Sequence, residues 1–203
     1  MGDFFDRADE IRERWNVLRH PFYQRWSQGD LRPDELAFYA GQYRHAVVAL
    51  ADAAAHAGDA AHAAQERSHV ALWDGFLDAF GGDAGAAPTP ETAVCATAWA
   101  DGDRDRAATL MALYAIEAAQ PAISETKRAG LVEHYGIEAG GEATRYFDLH
   151  AVLDHEHAAH ARAELEAIME PADEDRLVAE AERVLQANWR LLDGVQERES
   201  AVA

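Results

Sequence analysis

The sequence predicts an all-α protein. Apolar residues recur at helical spacing, helix-start and helix-stop signals punctuate the chain, and no stretch alternates apolar and polar residues as a half-buried strand does. Its 203 residues suffice for one domain with a sizeable core, so a single unit spanning 1–203 is expected.

The punctuation marks out about seven helices. A first amphipathic helix runs from Phe4 to Leu18 and breaks at His20-Pro21; a short segment then reaches Gln28 before a turn at Gly29-Asp30. Pro33 opens the second helix, because its missing N–H is of no consequence at the first helical position, and Gly58 closes that helix after Ala57. The third runs from Asp59 to Phe80 and stops at Gly81-Gly82, followed by a loop from Asp83 to Pro90. Thr89 caps a short helix to Ala100. The segment from Asp103 to Tyr135 reads as one long helix ended by Gly136. Pro121 inside it has no N–H for the carbonyl of Glu117, so a kink is expected there. The last two helices run from Glu142 to Met169 and from Asp173 to Arg198, with Glu170-Pro171 between them.

A formal charge of −19 opposes a nucleic-acid partner, since binding to phosphates rests on basic patches. No apolar run approaches the roughly 20 residues of a membrane span. The charged, amphipathic stretch from Met1 to Arg19 reads as neither signal nor transit peptide, and a cytoplasmic protein is expected. Cys95 is the only cysteine, which excludes an internal disulfide or a thiolate metal cluster; it reads as a small buried hydrophobe. Of eighteen basic side chains seventeen are arginine, and Lys127 alone is lysine.

His150, Asp154 and His157 stand at steps of four and three on one helical pattern, which brings all three to one face within about a sixth of a turn. Tyr146, Phe147, Leu149 and Leu153 give that helix a large apolar share, so its buried polar groups need partners, and metal ligation supplies them. Glu117 lies in a very apolar stretch, after Leu110, Met111, Leu113, Tyr114 and Ile116, where an ionised carboxylate is costly unless it binds a cation. Glu66 and His69, three apart on another helix, complete a set of six donors; Glu66 is the least secure, with His62 as its substitute. Mixed imidazole and carboxylate donors suit iron, manganese or zinc better than calcium or copper. His56, His134, His155 and His160 read as surface or satisfied core residues rather than ligands. A ferritin-like bundle is a second possible host for such a set, but it leaves His150 surplus.

With these residues in view, the chain resembles the haem-oxygenase-like helical superfamily that includes pyrroloquinoline-quinone synthase, the TenA thiaminases and di-metal oxygenases. Beyond the metal set, the resemblance rests on His20-Pro21-Phe22-Tyr23 with Trp26-Ser27-Gln28-Gly29-Asp30-Leu31, on His69 to Phe76 around Leu72-Trp73, and on Leu113-Tyr114 through Glu117 to Glu125-Thr126-Lys127. It spans roughly Leu18 to Leu165. A thiaminase is disfavoured, because Cys95 lacks that branch's surroundings. Within the di-metal branch the likeness is greatest to the para-aminobenzoate-forming enzymes.

That resemblance implies an oxygen-dependent enzyme with two metal ions, di-iron or manganese–iron, and dioxygen as co-substrate. Glu66, His69, Glu117, His150, Asp154 and His157 are the implied ligands. It also implies that Tyr23 is the source of the aromatic ring and Lys127 the amino donor. Lys127 lies ten residues after Glu117; on one continuous helix that offset turns it about 80° from the ligand face, at the border of the same cavity.

One departure stands out. Where the para-aminobenzoate makers carry their first carboxylate, seven residues before the histidine, this chain has His62, while Glu66 precedes His69 by three. Two alternatives therefore stay open: the same centre acting on an external amino acid, amine or fatty acid, and a metal-free helical interaction module. The electron donor is unidentified, and a homodimer is left open.

Overall fold

The computed structural model describes residues 2–202, with side chains over 4–198; the outermost ends of the expected 1–203 unit, Met1 and Ala203, lie outside the described residues. Nine α-helices and two 3-10 turns make up the described secondary structure. They are α1 Gly2–Arg14, α2 Pro21–Gln28, α3 Pro33–His56, α4 Ala60–Ala79, α5 Pro90–Trp99, α6 Arg106–Glu117, α7 Gln120–His134, α8 Arg145–Ile168 and α9 Glu174–Val202, with turns at Val17–Arg19 and Pro171–Asp173. No described helix is long and apolar enough to cross a membrane.

The all-α expectation holds, with two more helices than the sequence signals suggest, and each has a local cause. The segment after His20-Pro21 is a helix in its own right: Pro21 sits in its first turn, the ring Nδ1 of His20 accepts from the N–H of Phe22 at 3.1 Å, and Gly29 ends it at φ 74°. The expected helix from Asp103 to Tyr135 is two helices. At Pro121 the missing donor produces a full break rather than a kink, so α6 ends on Glu117 and α7 restarts at Gln120. The first helix also stops early, at Arg14, because the side chain of Asn16 accepts from the N–H of Leu18 and caps a separate 3-10 turn. Elsewhere the expected cap is in place, Thr89 accepting from Thr92 N–H at 3.1 Å, and Asp59 caps α4 by accepting from His62 N–H at 2.8 Å.

Helix α3 packs along α4 and α5, α8 lies against α6 and α7, and α9 covers α5, α6 and α1. Between them sits an aromatic core built around Tyr23, Trp26, Tyr39, Tyr43, Trp73 and Phe76, each at most 2 % exposed. The indole N–H groups find carbonyls on neighbouring helices: Trp73 donates to Ala40 at 2.8 Å, Trp26 to Lys127 at 3.1 Å and Trp99 to Val184 at 3.2 Å. Gly130 permits the Trp26 contact, because a Cβ there would fall 2.6 Å from Trp26 Cδ1. Helix α7 thus presses its backbone onto α2 and brings Lys127 over Tyr23. Cys95 is fully buried in the core, as expected.

Candidate metal centre

Three helices converge on one buried cluster. Helix α4 contributes His62, Glu66 and His69, at steps of four and three and so on one face; α6 contributes Glu117, its last residue; α8 contributes His150, Asp154 and His157. Glu66, Glu117, His150 and Asp154 are fully buried, and His69 nearly so.

The donors approach closely. Glu66 Oε1 lies 3.2 Å from His69 Nδ1 and 3.6 Å from His157 Nδ1, and Glu66 Oε2 lies 3.8 Å from His150 Nε2. On the other side His157 Nδ1 is 3.5 Å from Asp154 Oδ1 and 4.0 Å from Glu117 Oε1. His62 Nε2 stands 2.9 Å from Glu117 Oε1. Three overlapping groups, His62/Glu117/His157, Glu66/His69/His150 and Glu66/Asp154/His157, each place one ligand atom per residue within 4.8 Å of the others. The structure therefore brings together all six residues expected from the sequence. Glu66, the least secure of them, sits at the centre of the cluster, and His62 joins it instead of replacing it. His56, His134, His155 and His160, not expected to be ligands, are exposed and stand outside these groups.

The imidazoles are oriented from behind. His150 Nδ1 lies 2.7 Å from the carbonyl of Tyr146, and His157 Nε2 lies 3.2 Å from Oε1 of Gln65. An oxygen of that kind only accepts, so each of those ring nitrogens carries the proton and the other turns its lone pair inward.

Electrostatics make the cluster costly when empty. Burial drives the Glu117 carboxyl well above its ordinary range, and the charges of Asp154 and Glu66 add to that. Burial also pushes Glu66 up, but the imidazoles of His150 and His69 outweigh it and hold Glu66 below its ordinary range. Burial lowers His150, and Glu66 with Asp154 reverse this to a net rise. The decisive observation for a metal is that the inward nitrogens of His62, His69, His150 and His157 and both oxygens of Glu66, Glu117 and Asp154 are buried with no hydrogen-bond partner. Orphaned donors in such number are rare in folded proteins unless a ligand satisfies them. Three carboxylates with four imidazoles form a donor set suited to divalent iron or manganese.

Next to the cluster lies an aromatic chamber around Lys127. Its Nζ is 4.4 Å from the ring centroid of Tyr43, 4.9 Å from that of Tyr23 and 5.3 Å from that of Tyr39. Lys127 is 2 % exposed, its side-chain amine makes no hydrogen bond or ion pair among the described residues, and burial lowers its pKa well below 10.5. The phenols of Tyr23 and Tyr39 share a 2.6 Å hydrogen bond. Burial, followed by the influence of Tyr43, raises the Tyr23 pKa well above 10.0. Two rings in series link chamber to cluster: the Trp73 ring, 5.6 Å from Lys127 Nζ, packs 5.0 Å from the Tyr146 ring, which stacks on His150 at 3.8 Å.

Lys127 reaches the chamber by a route other than the one expected. With α6 broken after Glu117, no single helix relates the two residues, and the direction of α7 sets the lysine's position. Tyr39 and Tyr43, which the sequence reading did not single out, line the chamber. Their four-residue spacing on an alanine-rich helix was the available signal, but it is equally that of ordinary core aromatics.

The fold and the sequence both have counterparts. A domain of unknown function with a heme oxygenase-like fold from Shewanella denitrificans superposes with a TM-score of 0.80 at 18% identity, covering 95% of this chain and 91% of that one. The TenA homologue of P. horikoshii gives a TM-score of 0.71 at 13% identity, covering 96% of both. In sequence, the 4-aminobenzoate synthase of Chlamydia muridarum is 27% identical over 217 residues, and that of Nitrosomonas europaea 28% identical over 225; each comparison covers 96% of this chain and 91% of the relative. Residues 44–193, which hold every member of the cluster, match the family described as iron-containing redox enzymes, and the chain belongs to that family.

Proposed function

We propose that this chain is a non-haem di-metal, oxygen-dependent 4-aminobenzoate synthase that draws the aromatic ring from its own Tyr23 and the amino nitrogen from Lys127. The observation that carries the reading is the chamber itself: a desolvated primary amine, the only one among the side chains, held 4.9 Å from the Tyr23 ring and linked through the Trp73 and Tyr146 rings to the orphaned carboxylates and imidazoles. The relatives named 4-aminobenzoate synthase, aligned over nearly the whole chain, support the product.

Glu66, His69, Glu117, His150, Asp154 and His157 would hold the two ions, with iron favoured by the family's description. When bound, reduced metals of this kind supply the activation of dioxygen, the oxidant the reaction needs. The protein's own groups prepare the partners. Burial disfavours the charged form of Lys127 and so favours the free amine, whose lone pair makes it a nucleophile. Tyr39 fixes the Tyr23 phenol through their hydrogen bond and so the face that the ring presents. Trp73, Tyr146 and Phe147 exclude water between chamber and cluster. Because Tyr23 and Lys127 are consumed, each chain acts once.

Growth rescue of a para-aminobenzoate auxotroph tests the reading. Rescue is expected from the wild-type gene and not from Tyr23→Phe or Lys127→Arg. Failure of the wild type, with two ions bound and oxygen consumed, would point instead to an external small substrate.

A further inference from the structure

We propose that His62 is a seventh protein ligand of the centre, binding through Nε2 the same ion as Glu117 and His157 while Glu66, His69 and His150 hold the other. The inference rests on the di-metal reading above and adds a member to it. His62 is more than a stand-in for Glu66, because both side chains point into the cluster at once.

The geometry argues against a simple ion pair between His62 and Glu117. Their nearest atoms are 2.9 Å apart, yet both remain without a hydrogen bond, because the ring nitrogen and the carboxylate oxygen do not point at each other. Two acceptors that crowd together with lone pairs converging beside each other are arranged for a shared cation. His157 completes the group: its Nδ1 is equally orphaned, and its ring lies 4.1 Å from that of His62. The position of His62 is fixed from its own backbone, whose N–H is held by the Asp59 cap at 2.8 Å in the first turn of α4. From there the ring shares a helical face with Glu66 and His69.

The placement has a consequence for the centre. His62 is 9 % exposed and lines a surface groove with Asp59, Gln65, Glu156, His157 and His160, so it stands between one ion and solvent. A ligand at that point would close the outer side of the ion.

The test compares wild type, His62→Ala and His62→Glu, each folded by circular dichroism and loaded anaerobically with Fe(II) or Mn(II). Metal content and affinity are measured directly, and pulsed EPR on Mn(II)-loaded, 15N-histidine-labelled protein counts coordinated imidazoles. We expect His62→Ala to bind one of the two ions at least about tenfold more weakly and to lose one histidine coupling. His62→Glu, which offers a donor again, should recover the second ion. If His62→Ala is unstable, His62→Gln carries the same measurement, since it fills similar space and is a poor ligand. Two ions bound with wild-type affinity and unchanged histidine coupling in the Ala or Gln variant would overturn the proposal. A wild-type chain that takes up no metal would overturn the di-metal reading itself.

Discussion

The Nζ of Lys127 faces the ring of Tyr23 at 4.9 Å, with neither residue more than 2 % exposed. An amine enclosed by aromatic rings without a counter-ion is a costly arrangement for a fold to maintain. Its cost and its chemistry are separable by experiment.

For chemistry, Lys127→Arg keeps a cation but offers no primary amine, and Tyr23→Phe removes the phenol with little change of shape. Both variants should load metal as the wild type does and form no 4-aminobenzoate in single-turnover assays read by mass spectrometry. Wild-type yield from Lys127→Arg would return the lysine to a structural role.

For stability, the sign follows from linkage. The unfolded chain holds a proton on Lys127 up to pH 10.5, whereas burial makes the folded chain release it at lower pH. Protonation therefore favours unfolding throughout that window. The penalty is complete below the folded pKa and disappears as pH rises to 10.5. Lys127→Met should be the more stable protein near pH 7, by about 1.4 kcal/mol for each pH unit that separates 10.5 from the folded pKa, or from the measuring pH where that is the higher of the two. That corresponds to about 2–4 °C in Tm per kcal/mol for a chain of this size. Melting curves across pH should show the advantage shrink toward pH 10; a constant gap would exclude the linkage.

Metal retention should fall with pH for a different reason. Binding needs neutral imidazoles, which protonate at about pH 6.5 when unperturbed, and His150 holds its proton to somewhat higher pH in the metal-free cluster. Equilibrium dialysis from pH 8 to 5 should show both ions lost together with proton uptake. His150→Ala and His157→Ala should lose metal at pH 7.5 and still melt cooperatively, because the helices draw most of their burial from the core. Full metal content in both variants would dismiss the ligand assignment.

Gly130→Ala probes the contact that sets the direction of α7. The added methyl would meet Trp26 Cδ1 at 2.6 Å and Nε1 at 2.8 Å, so the indole or the helix must shift. Destabilisation of about 1–3 kcal/mol is expected from overpacking, measured by urea titration. An unchanged midpoint would mean that Trp26 swings aside freely.

Local signals alone settle much of this protein. The steps 150, 154 and 157 must share a helical face, Gly29 and Gly58 must end helices, and Asp59 and Thr89 must begin them, because hydrogen bonding and side-chain period act over a few residues. Glu117 was conspicuous for the same reason, as a carboxylate inside an apolar run. Pairing between elements is what such rules cannot reach. The break at Pro121 is local, but where its two halves lie is not: in the folded chain α6 and α7 each pack against α8. Whether Glu66 or His62 faces the cluster was undecidable from spacing, since positions four apart lie on one side of α4. Only the crossing of α4 with α8 and α6 turns both inward. The neighbourhood of Lys127 and Tyr23, 104 residues apart in sequence, likewise exists only once Gly130 lets α7 rest on α2. Contacts of that range are decided by how helices pack, and packing is a property of the whole chain.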